Sequence, residues 1–155
     1  MAKDVPEFEM YLLLDGIPGG STAKDRKGWI DITGVDWGVE QAVAISGTGG
    51  GMTGVGGKQR ALRFTAGSGA ASPALFEACV SGKHITQGTF EVQSGKSVVV
   101  QWVFEDMLVT SFSSGATDAD DGLLDTFTLL ARRLRYTTTD TRGWKETWCW
   151  AQTTL

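Results

Sequence analysis

His84 is the single histidine of the chain. To act as a general base it needs a nucleophile and an orienting acid, and the sequence holds no Gly-x-Ser-x-Gly elbow to supply the first. Its place just past a predicted helix C-terminus fits a simpler role, a cation favoured by the negative end of the dipole. Asp118, Asp120, Asp121 and Asp125 gather carboxylates. A calcium loop beginning at Asp118 needs an oxygen ligand at 122 and Glu at 129, where Gly122 and Leu129 stand. The run is read instead as a solvated acidic loop. Gly49-x-Gly51-x-x-Gly54 matches the dinucleotide pattern in form only. That fingerprint must open a helix, so that pyrophosphate meets its positive end, whereas Val55-Gly56-Gly57 and a strand follow here. Gly57-Lys58 ends like a phosphate loop, but Met52 replaces the first glycine and Gln59 the hydroxyl residue. Cys79 and Cys149 lie 70 residues apart without metal-ligand spacing, and both are read as reduced thiols, Cys79 as a small core hydrophobe. No reaction centre assembles. The expectation is a non-enzymatic protein with no catalytic residue, no cofactor and no metal.

The elements that carry these residues follow from composition. The chain has 155 residues, 41% of them hydrophobic and 21% charged, enough apolar material for one packed domain spanning 1–155. The net charge of −4 argues against nucleic acid as a partner. The longest apolar run, Met10 to Leu14, is five residues, too short for membrane insertion. The first seven residues carry no apolar core, so no secretory signal is expected there. Glycine is abundant at 21 residues and proline scarce at 3, with 6 Trp and 7 Phe. That balance points to strands joined by tight turns.

Alternation of Phe8, Met10, Leu12 and Leu14 marks a first strand, with Tyr11 and Leu13 making its other face partly apolar. A turn cluster, Asp15 to Ser21, follows. A second strand is expected from Trp29 to Val39, with Trp29, Val35, Trp37 and Val39 on one face and a bulge at Gly34. Residues 46–58 hold seven glycines in 13 and are read as an extended, Gly-rich loop, followed by a strand from Gln59 to Ala66. One helix is expected at 72–81. Ser72 caps it, Pro73 takes its first position, Leu75, Ala78 and Cys79 form its apolar stripe, and Gly82 stops it. Strands resume at Ile85–Gln93. The parity change from Val98, Val100, Trp102 and Phe104 to Met107 and Val109 predicts a bulge at Glu105-Asp106. Leu123 to Thr138 forms one long strand or two. Trp144, Trp148 and Trp150 share one parity on the last strand, as a stacking platform for sugars or as a face packed on the core or another subunit. The sum is mainly β: a small antiparallel barrel or two-sheet sandwich with one flanking helix.

Four segments resemble one family in the right order. They are Tyr11-Leu12-Leu13-Leu14-Asp15-Gly16-Ile17-Pro18-Gly19-Gly20-Ser21-Thr22 with Gly28-Trp29-Ile30-Asp31-Ile32 and Asp36-Trp37-Gly38-Val39; Ser72-Pro73-Ala74-Leu75-Phe76-Glu77 through Gly82-Lys83-His84-Ile85; Leu108-Val109-Thr110-Ser111-Phe112-Ser113; and Leu134-Arg135-Tyr136-Thr137. Together they resemble Hcp, the haemolysin-coregulated protein family. The motif residues Asp15, Gly16, Trp29, Trp37, Gly38, Ser72, Pro73, Leu75, Phe76 and Gly82 carry that likeness. Departures are Gly20, where the family commonly has an acid, and the tryptophan-rich stretch after Trp144.

The resemblance implies a subunit of the type VI secretion inner tube, with a fold shared with phage tail-tube proteins. It implies homohexameric rings that stack, lumens that carry effectors, a spike protein and a contractile sheath as partners, and export from the cytoplasm through the apparatus itself. It places Gly47, Thr48, Gly49, Gly50, Gly51, Met52, Thr53, Gly54 and Val55 at ring-to-ring contacts. Strands apolar on both faces suit such a role, needing both a core and a neighbour. The alternatives are a glycan-binding β-sandwich using the tryptophans, or a phage tail-tube subunit.

Overall fold

The computed structural model describes residues 8–47, 49–95, 97–116, 122–139 and 145–151, the last of these as backbone. Ten strands and one helix run in the order β1 (Phe8–Leu14), β2 (Ile30–Ile32), β3 (Gly34–Asp36), β4 (Val39–Ile45), β5 (Met52–Gln59), β6 (Leu62–Gly67), α1 (Ser72–Ser81), β7 (Ile85–Ser94), β8 (Ser97–Ala116), β9 (Leu123–Thr139) and β10 (Lys145–Ala151). Eight strands form one antiparallel sheet ordered β2-β1-β7-β8-β9-β6-β3, with β10 beside β9, while β4 and β5 form a separate two-stranded sheet.

The two ends of the large sheet are consecutive in sequence. β2 pairs with β1, and β3, one residue later, pairs with β6. At the changeover the Thr33 N–H donates to the Thr65 carbonyl at 2.8 Å and the Thr33 hydroxyl to the same oxygen at 3.1 Å. A single chain segment thus nearly closes the sheet into a barrel, which leaves little of the free edge an open sheet presents. This partner exchange corrects the expected continuous strand Trp29–Val39. Ile30 and Ile32 are the buried pair, Trp29 is half-buried, and no bulge at Gly34 is needed.

The core is built by period-two alternation. Leu12, Leu14, Leu62, Phe64, Phe90, Phe104, Met107, Phe127 and Leu129 are fully buried. Phe64 stacks on Phe127 at 5.6 Å and meets Phe90 at 5.3 Å, and Phe90 meets Trp102 at 5.0 Å. Phe104 and Met107 are both buried despite opposite parity, but the expected inserted residue is absent. Register against both neighbours runs unbroken from Phe104 to Met107. Instead Asp106 takes a left-handed conformation, φ 57°. The same inversion occurs beside it, between Ile85 and Gly88 in β7 and between Ala131 and Leu134 in β9. Three strands rotate their faces together, so the ladder keeps its register while the barrel wall turns. β9 is one strand, shared on one edge by β6 and β10.

Helix α1 lays Leu75 and Ala78 into the core and ends at Gly82, whose φ of 68° only glycine adopts freely. Ser72 is not its cap. The cap residue is Ala71, without a side-chain bond, and Pro73 lies in the first turn.

Candidate assembly interface

With its apolar alternation spent on a nearly closed barrel, the chain groups most of its exposed large apolar side chains in two places, with Phe8 and Leu13 of β1 and Leu123 at the start of β9 exposed apart from them. The first is the hairpin of β4 and β5. Every described side chain from Val39 to Lys58 is exposed, including Val39 at 56%, Val43 at 52%, Ile45 at 72% and Met52 at 74%. Ile45 lies directly opposite Met52 and Val43 opposite Gly54, so these side chains share one face. Glu40 opposite Lys58 places charge on the other. A two-stranded hairpin is marginal alone in water, and an apolar face adds a reason for it to meet a partner. Much of the glycine run, read from sequence as a loop, is strand β5 and its turn. Gly50 and Gly56 have φ of 70° and 142°, at the turn and beside the register shift at Ala42/Val43. Thr48 lies outside the described residues. The second place is the outer side of α1, where Phe76 and Val80 are 58% and 73% exposed and Phe76 meets Phe112 edge-on at 6.2 Å.

The motif residues Asp15, Gly16 and Trp29 belong to the long turn after β1. Asp15 accepts the Thr86 hydroxyl at 2.7 Å, and Gly16 has φ 82°. Gly19 admits no side chain, because a Cβ there would lie 2.3 Å from the Trp29 carbonyl oxygen. From this turn Arg26 reaches back over the outer face of the barrel. Its Nε donates to Glu91 Oε1 at 2.8 Å, and its guanidinium lies 5.0 Å from the Trp29 ring centre. Glu91 also accepts from Gln101 at 2.9 Å. Tyr11, opposite Glu91 in the ladder, is buried here. Burial, and then the Glu9 carboxylate that accepts its hydroxyl, raise the phenol above its usual value. Sequence reasoning missed this pair, since no local pattern joins residues 65 apart.

Ser72 has a different task from the one expected. Its hydroxyl donates to Asp125 and accepts the Gly69 N–H at 2.9 Å. Ser68 donates to the other Asp125 oxygen at 2.6 Å. Asp125 therefore does not belong to a solvated acidic loop: it is 2% exposed and ties the start of α1 to β9. Burial alone would raise its carboxyl, but the hydroxyls of Ser68, Ser72 and Ser114 outweigh that and lower it. Asp118, Asp120 and Asp121 lie outside the described residues, as do Trp144 and the side chains of Trp148 and Trp150. Trp37, from the motif, packs its ring 5.0 Å from Trp102 at the base of the hairpin, beside Gly38.

His84 is surface-exposed and meets Asp106 at 2.7 Å, with Arg132 3.8 Å from the other Asp106 oxygen. Among the described residues no group of His, Cys, Asp and Glu has the geometry to hold a metal. No helix among them is long and apolar enough to cross a membrane. What the described residues do present is surface for association, on the hairpin and on the outer side of α1.

Comparison with solved structures gives close overlays. Hcp1 from Salmonella typhimurium matches at TM-score 0.81 and 23% identity, covering 93% of this chain and 94% of that one. A protein described as a type six secretion system protein matches at TM-score 0.84 and 24% identity, over 94% and 96%. A type VI secretion system effector from Yersinia pestis matches at TM-score 0.79 and 17% identity, over 92% and 99%. Comparison with curated proteins yields no match. The family model described as type VI secretion system effector, Hcp, matches residues 11–139, and the chain belongs to that family.

Proposed function

We propose that the chain is a structural subunit of a type VI secretion tube that closes into six-membered rings, stacks them through the β4–β5 hairpin, and carries effectors in the lumen. The observation that carries the stacking reading is the exposed apolar face of Val39, Val43, Ile45 and Met52 on a hairpin with no cover of its own. Family membership supports the tube. Export through the apparatus with the spike and sheath as partners follows from the same membership and is part of the proposal. Residues 47–55 together with the apolar face of β4 form the ring-to-ring contact, the motif residues hold the fold that presents them, and no step of the work needs catalysis.

Negative-stain microscopy and sedimentation of the purified chain test this. Six-subunit annuli are expected, lengthening into tubes as concentration rises. Val43→Asp should leave annuli and abolish tubes. A species of 16.6 kDa at every concentration overturns the proposal.

A further inference from the structure

We infer that Arg60 is a positioning residue that fixes the angle at which the β4–β5 hairpin leaves the barrel, with Gly38 as the seat of its guanidinium. The biological consequence rests on the stacking role proposed above; the geometry does not.

The hairpin joins the barrel at two points only along the chain. On one side Trp37 is anchored, its ring 5.0 Å from Trp102 and 5.6 Å from Tyr136. On the other, Leu62 is fully buried and faces Leu129 in the ladder. Gly38 and Arg60 lie between these anchors and the first hairpin pair, Val39 and Gln59. The Arg60 N–H donates to the Gly38 carbonyl at 2.9 Å, which adds one rung below that pair. The Arg60 side chain then folds over Gly38. A Cβ on Gly38 would lie 2.2 Å from Arg60 Nη2 and 2.8 Å from Nε. Gly38 is not among the residues with positive φ, so its backbone does not require glycine. A Cβ there would meet only the end of the exposed Arg60 side chain, so alanine at 38 displaces the guanidinium from its seat rather than straining the backbone. Among the described residues Arg60 makes no ion pair, so its placement against this peptide is not dictated by an acid.

The leverage is large. The seven residues of β4 extend about 23 Å at roughly 3.3 Å per residue, so a swing of about 15° at the base moves the tip by about 6 Å. Contact surfaces in packed assemblies do not tolerate such a displacement. An exposed arginine with little part in the core can therefore control whether the hairpin is aimed.

The test uses spin labels at Thr53→Cys and Lys83→Cys in a chain whose Cys79 and Cys149 are alanine, with distances read by pulsed electron resonance. The parent background should give a narrow distribution. Arg60→Ala and Gly38→Ala should each broaden it while circular dichroism and melting temperature stay unchanged. The double variant should look like either single one, because both remove one contact. If the variant hairpin is aimed one time in ten, apparent stacking affinity falls about tenfold while rings persist. Distributions as narrow in Arg60→Ala as in the background overturn the inference, and so do effects of the two substitutions that add. Failure of the parent to form rings overturns the tube reading alone, since the label distances still decide this one.

Discussion

Ser72 separates a local reading of the sequence from a tertiary one. As a helix cap, its replacement by alanine costs about 1 kcal/mol, and aspartate serves equally well. In the structure the hydroxyl donates to the buried Asp125 carboxylate and accepts the Gly69 N–H. A hydrogen bond to a charged group contributes about 1.5–3 kcal/mol, so Ser72→Ala should cost about 2 kcal/mol. For a domain of this length that lowers the melting temperature by about 4–8 °C. Ser72→Asp is the sharper probe. It sets a second carboxylate against Asp125 and should be at least as damaging as alanine at pH 7, then improve relative to the parent on acidification as one carboxyl takes a proton. The parent itself should respond to pH through Asp125. Its folded pKa lies below the ordinary carboxyl value of 3.8, so its contribution is fully present above that value and disappears as pH falls through the folded pKa. The stability gap between parent and Asp125→Asn should be flat at neutral pH and close in acid. Thermal melts at one protein concentration, from pH 7 to about pH 2, measure both effects, with assembly contributing equally throughout. A Ser72→Asp chain as stable as the parent at pH 7, or a gap that never closes, refutes the reasoning.

Three further outcomes follow from packing and charge. Gly88→Ala forces a Cβ to within 2.8 Å of Leu14 Cδ2 and 3.1 Å of the Leu13 carbonyl oxygen inside the core, and urea titration should show a loss of about 1–3 kcal/mol. Arg26→Ala leaves the Glu91 carboxylate, whose side chain is 7% exposed, with Gln101 as its remaining partner among the described residues; it should lose about 3 kcal/mol, and Glu91→Gln distinctly less, in the same titration. The chain has two tyrosines, and Tyr11 should ionise above the ordinary value of 10.0, seen as a late phenolate absorbance step that Tyr11→Phe removes. Because that folded pKa is raised, the associated stability is present below 10.0 and lost as pH rises through the folded value.

The barrel was legible because alternation of large apolar residues leaves little choice of face. Leu12 and Leu14 and the stop at Gly82 stand as the pattern demands, whereas Phe104 and Met107 are both buried through the turned wall at Asp106 rather than through the expected bulge. Legibility ended where a partner distant in sequence decides the outcome. The stretch 29–39 reads as one strand, yet it changes neighbours at Thr33, and that exchange buries Ile30 and Ile32 rather than Trp29. Ser72-Pro73 has the form of a helix start, but Asp125, 53 residues away, takes the hydroxyl. Asp125 was hidden by the acidic run before it. Glycine count alone cannot tell a loop from a hairpin. The strand-forming instruction lies in Val39-Glu40-Gln41-Ala42-Val43-Ala44-Ile45, which β5 follows across the ladder.

Closure of the barrel also changes the argument for assembly. Strands apolar on both faces suggest a chain that needs neighbours to cover its sheet. In the structure Tyr11 is buried within the chain, while Arg26, from the turn after β1, bonds to Glu91 on the same outer face, and the core is complete within one chain. Leu13, on the same face as Tyr11, stays 39% exposed, but most of the exposed large apolar groups lie on the hairpin and on the outer side of α1. Folding and stacking are therefore separable. Replacing residues 39–59 by a short Gly-Ser turn removes no side chain of the buried core. It should leave the melting temperature within a few degrees of the parent, since surface changes away from buried features contribute about 0.5 kcal/mol or less. The shortened chain should never lengthen into tubes at any concentration. An unfolded product by circular dichroism would mean that the hairpin supports the barrel, and that the separation drawn here is wrong.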